Sequence, residues 1–407
     1  MRRSERFPPA RPRAAMIMAA ETKMSRRLFV RRAVIGVGAA ALGMRALDDF
    51  FLHPGQTGFT IGFRGDAPES LWRWSREALW QERSGDVVRC SLCPHECILG
   101  DDDRGFCRTR VVKDGVLYTL AFGNPCAIHV DPIEKKPLFH YLPTAPILSI
   151  ATAGCNLRCL NCQNWEISQR RPEDTRNADW MPDRLVEAAA TRKIPAIAYT
   201  YSEPLVAYEY VLESARLARG EGIRNVLVTA GYIHEQPLRK LLRYIDAVTL
   251  DLKAFSPRIY RRLAGGRLDP VLRAVRVIRE EGVWLELSNL LVTGISDDMD
   301  DVARLCEWIA EHVGADVPFH FLRFHPDYRL ERLPPTPIST LERARDRARK
   351  AGLRFVYLGN VPGQGDENTY CPRDGRLLIE RRGYLVLRNE LVDGRCPCGE
   401  PIAGVWT

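Results

Sequence analysis

From residue 147 onward the apolar positions of this chain change period in a regular way. Short runs rich in β-branched and aromatic residues read as buried strands: Ile147–Ala151, Ala196–Thr200, Asn225–Ala230, Ala247–Leu252, Trp284–Val292, Phe319–Phe324 and Phe355–Leu358. Segments with helical period follow most of them: Asp183–Thr191, Leu205–Arg219, Pro237–Tyr244, Asp269–Glu281, Met299–His312 and Ser339–Ala351. Strand, helix, strand repeated in this way implies parallel pairing with right-handed crossovers. Six such units are too few for a closed eight-fold barrel. The expected fold is therefore α/β, a partial (β/α)6 TIM-like barrel with its chemistry at the C-terminal ends of the strands.

The barrel pattern spans residues 146–362, and shorter regions flank it. Residues 51–88 form a linker and an amphipathic stretch, in which Leu71, Trp72, Trp74, Leu79 and Trp80 stand at helix-like spacings; such a stripe predicts a packing surface. Residues 89–145 combine a small cysteine-rich module with a proline-rich loop, Gly123 to His140. That loop offers Cys126, His129, Asp131, Lys135, Lys136 and His140 to an active site. Residues 363–407 carry a β-like run, Leu377–Leu387, between two cysteine knuckles.

Charge changes the picture only at the start. The formal net charge is +8, and residues 1–32 alone hold ten Lys/Arg against Glu5 and Glu21. The rest is balanced, so no basic face for nucleic acid is expected. Residues 1–50 read as a basic leader. Ser25-Arg26-Arg27-Leu28-Phe29-Val30-Arg31 matches the twin-arginine pattern, and Ala33 to Met44 is a short Gly/Ala-rich apolar segment. Twin-arginine export carries folded, cofactor-loaded proteins, whereas grouped thiols favour a reducing compartment. A cytoplasmic or membrane-tethered location is expected, with export the alternative.

The twelve cysteines are grouped at metal-ligand spacings, not spread as a disulfide framework. Cys155, Cys159 and Cys162 follow the first barrel strand directly. An ordinary [4Fe–4S] cluster takes four thiolates, so three leave one iron open to a ligand that is not protein; zinc would prefer paired C-x2-C knuckles. Cys90, Cys93, Cys97 and Cys107 make a closed set of four, suited to zinc or an auxiliary iron–sulfur cluster. Neighbouring His95 reads as a surface residue. Cys371 and the pair Cys396 and Cys398 belong to a degenerate zinc-ribbon-like segment. Asp374 stands there where a second cysteine is expected, and one spacer residue is missing from the second knuckle, so the ribbon either holds a metal or keeps its fold without one. Cys306 lies on a helical apolar run and is expected in the core.

Polar residues recur at the strand ends: Thr200-Tyr201-Ser202-Glu203-Pro204, Thr229-Ala230-Gly231, Asp251-Leu252-Lys253, Ser288-Asn289 and His320. Together with CSLCPHEC, GNPCAIHVDPIEKKPLFH, CNLRCLNCQNW, PFHFLRFHPDY, YLGNVPG and GRCPCGEPIAGVW, these strings resemble the radical SAM activases related to pyruvate formate-lyase-activating enzyme. The radical SAM member of the AmmeMemoRadiSam system is the most similar. The resemblance covers roughly residues 88–407. It implies that Cys155, Cys159 and Cys162 ligate a [4Fe–4S] cluster whose open iron takes S-adenosylmethionine (SAM). It also implies that Ser202 and Glu203 lie at the SAM amino group, Asp251 and Lys253 near its methionine end, and His320 near its ribose or the substrate. Asn289, on the same rim, joins the cofactor-binding set. Val228 and Ala230 replace an acidic residue and an asparagine of the activases, which puts any cation site there in doubt.

The implied function is reductive cleavage of SAM to a 5′-deoxyadenosyl radical that abstracts hydrogen from a protein, peptide or small molecule. The implied partners are an electron donor of flavodoxin or ferredoxin type, Memo-family and AMMECR-domain proteins, and a protein substrate; a glycyl-radical enzyme is the narrower alternative. The rival reading is a non-catalytic iron–sulfur electron carrier or zinc-binding interaction protein, separated from the first by whether SAM is cleaved.

Overall fold

The computed structural model describes residues 68–361 and 365–407. The basic leader, its twin-arginine-like segment and the first part of the linker lie outside the described residues. No helix among those described is long and apolar enough to cross a membrane.

The sheet that organises the fold has eight strands: β7 (Ala127–Pro132), β8 (Pro146–Ala151), β9 (Ala196–Tyr199), β10 (Arg224–Thr229), β11 (Ala247–Asp251), β12 (Trp284–Leu291), β13 (Phe319–Arg323) and β14 (Val356–Gly359). From β8 to β14 every neighbour pairs in parallel. The order β14-β13-β12-β11-β10-β9-β8-β7 leaves the two outer strands apart, so the barrel is open on one side. β7 departs from the sequence reading, which made this stretch a loop. It pairs antiparallel with β8 from Ala127↔Ala151 to Pro132↔Pro146. His129 and Val130 are both exposed in mid-strand, so its alternation is too weak to announce a strand; pairing with the edge of β8 makes it one. The barrel sheet thus begins inside the stretch assigned to the N-terminal module.

The helices are α1 (Trp165–Ser168), α2 (Pro182–Thr191), α3 (Tyr208–Gly220), α4 (Glu235–Leu242), α5 (Pro257–Ala264), α6 (Leu268–Glu280), α7 (Met299–His312) and α8 (Ile338–Lys350). Each long helix turns one apolar stripe inward: Val271, Ala274, Val275 and Ile278 on α6, and Val302, Leu305, Cys306 and Ile309 on α7. Cys306 is a core residue, as expected from its stripe. Helix α5 is absent from the sequence reading. Arg258, Arg261 and Arg262 dilute its stripe to Tyr260, Leu263 and Ala264. The Ser256 hydroxyl accepts the Ile259 N–H at its start, and Gly265 ends it at φ +71°.

Before the barrel come two three-stranded antiparallel sheets, built from β1 (Arg76–Glu77), β2 (Gln81–Ser84), β3 (Val87–Cys90), β4 (Ile98–Leu99), β5 (Arg110–Lys113) and β6 (Val116–Thr119). The aromatic stripe is not a helix. A single 3-10 segment, Glu69–Trp74, buries Leu71 and Trp74, and the chain then extends to pair Arg76 and Glu77 with β6. Cross-strand partners for the backbone override the helix-like spacing, and Leu79 ends up 51% exposed.

After the barrel, the run read as one β segment is a hairpin, β16 (Leu377–Arg382) with β17 (Leu385–Asn389), turned at Gly383 and flanked by β15 (Thr369–Tyr370). Arg381 anchors it to the barrel. Its guanidinium lies over the Phe139 ring and donates to the Phe139 carbonyl at 2.7 Å and to the Thr369 hydroxyl at 2.8 Å.

Candidate active site

The pleat of the barrel strands sets the site. Strand register places Asp251, Ser288, His320 and Tyr357 side by side on four successive strands. All four line one cavity of about 1090 Å³. Cys155, Cys159 and Cys162 form another wall, and Ser202, Glu203 and Lys253 complete the polar lining from neighbouring strand ends. Asn289 is one residue out of phase with Ser288, so the pleat turns it away. It is not among the lining residues, and its amide donates to the Leu252 carbonyl at 2.6 Å.

The cysteine loop owes its shape to the helix that sequence reading missed. The N–H groups of Arg158 and Leu160 donate to the carbonyls of Ala264 and Leu263, at 2.8 and 2.9 Å, so the last turn of α5 holds the loop. The Arg158 guanidinium lies over the Phe106 ring and donates to the carbonyls of Cys155 and Leu157 at 2.8 Å each. Burial pushes the Cys155 thiol well up, and the Glu203 carboxylate adds to that. Burial also lifts Cys159, to about 11, although Lys253 opposes it.

The polar side chains are held in place. Glu203 accepts the Thr229 hydroxyl at 2.5 Å, the Ala230 N–H at 2.9 Å and the Leu205 N–H at 3.3 Å; burial nonetheless raises its pKa. The Ser202 hydroxyl donates to the Thr152 carbonyl at 2.6 Å and so braces the strand end. Asp251 accepts the Ser288 hydroxyl and the Lys253 ammonium, the latter at 2.8 Å. Burial would lower the Lys253 pKa, but Asp251 and Cys159 outweigh it and the group is pushed up.

Below the polar ring lies a residue that sequence reading passed over. Glu286, fully buried on β12, accepts the N–H groups of Phe139 and His140 at 3.0 and 2.8 Å and contacts His320 Nε2 at 2.8 Å. Burial would raise its carboxyl, yet His320 and the backbone donors hold it below the usual range. It ties the β7–β8 loop to the barrel interior. A carboxylate amid an apolar strand run was the available signal, because burial demands a partner.

Of the loop candidates, Lys135 and Lys136 line the cavity, and both pair with Asp131, at 2.9 and 2.6 Å. Burial lowers Lys136 to about 8 against the pull of Asp131. His140 is buried behind the site, where its Nδ1 bonds the Ala403 carbonyl at 2.6 Å. Cys126 and His129 are not among the lining residues; His129 packs edge-on to Tyr201.

The family model described as the Radical SAM superfamily matches residues 149–309. An uncharacterized protein of Methanocaldococcus jannaschii is 44% identical over 331 residues, spanning 80% of this chain and 98% of that one. The chain belongs to the radical SAM superfamily. The pyruvate formate-lyase 1-activating enzyme of Escherichia coli K12 is 25% identical over 223 residues, 50% of this chain and 89% of that enzyme. The activating enzyme of Staphylococcus epidermidis is 27% identical over 229 residues, 52% and 89%. These relationships support SAM-dependent radical chemistry.

Radical SAM membership implies a [4Fe–4S] cluster and SAM, and the donor set fits them. Cys155, Cys159 and Cys162 are the cysteines that line the cavity, and they would hold a cluster with one iron free of a protein ligand. Two further thiol groups lie elsewhere. Cys90, Cys93, Cys97 and Cys107 surround a second, small cavity of about 20 Å³. His95 beside them, expected at the surface, is half-buried. It is wedged between Phe106 and Tyr232 and bonds the Asn156 carbonyl at 2.7 Å, and burial lowers it to about 4. In the ribbon, the ligand atoms of Cys371, Asp374, Cys396 and Cys398 all lie within 4.8 Å of one another.

Proposed function

We propose that this chain binds SAM between the Cys155–Cys162 loop and the Asp251–Ser288–His320–Tyr357 ladder, and abstracts hydrogen from a protein or peptide segment entering the open side of the barrel. The observation that carries this is the three-thiol wall facing, across one cavity, a fixed carboxylate and a charged lysine. Cys155, Cys159 and Cys162 would hold the cluster, which would supply the single electron for reductive cleavage of SAM. The side chains contribute position and charge. Glu203, with three of its acceptor sites filled by protein donors, keeps one for the SAM ammonium. Lys253, kept cationic by Asp251, steadies the SAM carboxylate. The ribbon residues Gly383 and Tyr384 border the cavity and narrow its approach to solvent.

The partners follow from the sequence resemblance. An electron donor of flavodoxin or ferredoxin type supplies reductant, Memo-family and AMMECR-domain proteins act alongside, and the basic leader tethers the enzyme to a membrane. The test is anaerobic reconstitution with iron and sulfide, followed by dithionite and SAM. The wild-type protein is expected to form 5′-deoxyadenosine and Cys159→Ala to form none. Equal product from both, or none from cluster-loaded wild type, would remove the enzyme reading.

A further inference from the structure

The N-terminal cysteines are arranged around a hollow. Cys90, Cys93, Cys97 and Cys107 share its wall with apolar Leu92, Leu99, Phe106 and Val206. A single zinc at about 2.3 Å from each thiolate draws four sulfurs to roughly 4 Å from one another. Among the described residues, the only set of three or more ligand atoms that all lie within 4.8 Å of one another is in the C-terminal ribbon. Cys90, Cys93, Cys97 and Cys107 form no set as tight as that one. A cubane, which takes one thiolate at each corner, suits that spread.

Arg110 gives a second, independent indication. Its side chain lines the same cavity and is 1% exposed. Nη2 donates to both oxygens of Glu209 at 2.7 Å, but Nε and Nη1 have no hydrogen-bond partner. Buried guanidinium hydrogens without acceptors are costly, and four neutral thiols would satisfy them poorly. Any metal centre on four thiolates, zinc or cluster, is an anion with sulfur acceptors and meets that need, so Arg110 marks a bound anion and the looser spread of the thiols favours the cubane.

We propose that Cys90, Cys93, Cys97 and Cys107 hold a second [4Fe–4S] cluster, with Arg110 donating to it, as the electron-entry site of the enzyme. Its place beside the SAM-binding loop supports that role. A Cβ at Gly154 would lie 2.6 Å from the Cys107 carbonyl oxygen, and Asn156 lines the module's cavity, so residues on either side of Cys155 touch the module. One electron enters from a reduced ferredoxin- or flavodoxin-type protein and the same electron leaves toward the cluster on Cys155, Cys159 and Cys162; no bond forms or breaks in the module. The electron-entry role rests on the radical SAM reading, whereas the metal site does not.

The experiment measures iron, sulfide and zinc, with electron paramagnetic resonance, on the anaerobically reconstituted full chain. About eight irons per chain are expected in wild type, half of them lost in Cys93→Ser/Cys97→Ser and the other half in a Cys155→Ala/Cys159→Ala/Cys162→Ala variant. SAM should change the signal of the first variant and leave that of the second unmoved. About four irons in wild type, all lost in the triple variant, would overturn the proposal. So would zinc that persists in Cys371→Ser/Cys398→Ser but disappears with Cys93 and Cys97. Should Cys93→Ser/Cys97→Ser not fold, Arg110→Lys in the triple-variant background decides: a shifted reduction potential supports the site, and an unmoved one overturns it. Eight irons without SAM cleavage would remove the enzyme reading alone; four irons with cleavage would remove this proposal alone.

Discussion

Glu286 and His320 show what single residues do here. Both are buried, and His320 Nε2 lies 2.8 Å from a Glu286 carboxylate oxygen on the neighbouring strand. Removing one side of a buried pair strands the other, so Glu286→Ala is expected to cost about 3–5 kcal/mol, read from urea unfolding at neutral pH. The carboxyl of Glu286 is depressed in the fold. Its contribution is therefore fully present above the unfolded carboxyl pKa and is lost as pH falls through the lower folded value. The acid-side decline in stability should be shallower in the Glu286→Ala protein than in wild type. At Lys253 the expectation concerns binding: Lys253→Met should weaken SAM by about 1.5–3 kcal/mol, roughly 10- to 150-fold, as measured by calorimetry on cluster-loaded protein. Asp251 and Lys253 could be read from sequence because they close a clear strand. Glu286 could not, since its partners lie in the β7–β8 loop and on β13, 34 residues away in the case of His320.

At the scale of elements, α5 and the N-terminal module hold the cysteine loop from two sides. Gly154 is the tight point, with φ +94° and no room beside Thr109 and Cys107. Gly154→Val needs both a strained backbone and displacement of that contact. A loss of about 1–3 kcal/mol is expected from the strained backbone alone, together with reduced iron per chain, checked by thermal unfolding and iron analysis. The ribbon makes a separate prediction. Its four ligand atoms converge as a tetrahedral site requires, even though the knuckles look damaged in sequence. About one zinc per chain is expected, lost in Cys398→Ser with a lower unfolding temperature; a wild-type protein free of zinc would show that the ribbon folds without it. Spacing alone hid this convergence, because the β16–β17 pairing, and not the interval between cysteines, brings the Cys371–Asp374 turn back beside Cys396 and Cys398.

The described residues form a splayed barrel with a module before it and a ribbon after it, both touching the cavity or its cysteine loop. All described residues belong to one compact unit that begins at Thr57. A chain shortened to start there is expected to keep its unfolding temperature within about 2 °C and to keep forming 5′-deoxyadenosine. Because the charge surplus resides in residues 1–32, it should also lose any association with membranes. If the shortened chain fractionates with membranes as the full one does, the leader is not the tether.

The sequence by itself determined the alternation of strand and helix, the openness that follows from too few units, and the three cysteines after the first strand. These depend on local period and on spacing within one loop, which short-range sterics and hydrogen bonding dictate. Only the tertiary structure decided which residues face the cavity together, that β7 completes the sheet, that α5 clasps the cysteine loop, and that two other thiol sets adopt different spreads. Those outcomes depend on strand register and on contacts between residues far apart in the chain, where a shift of one position, as between Ser288 and Asn289, moves a side chain to the opposite face.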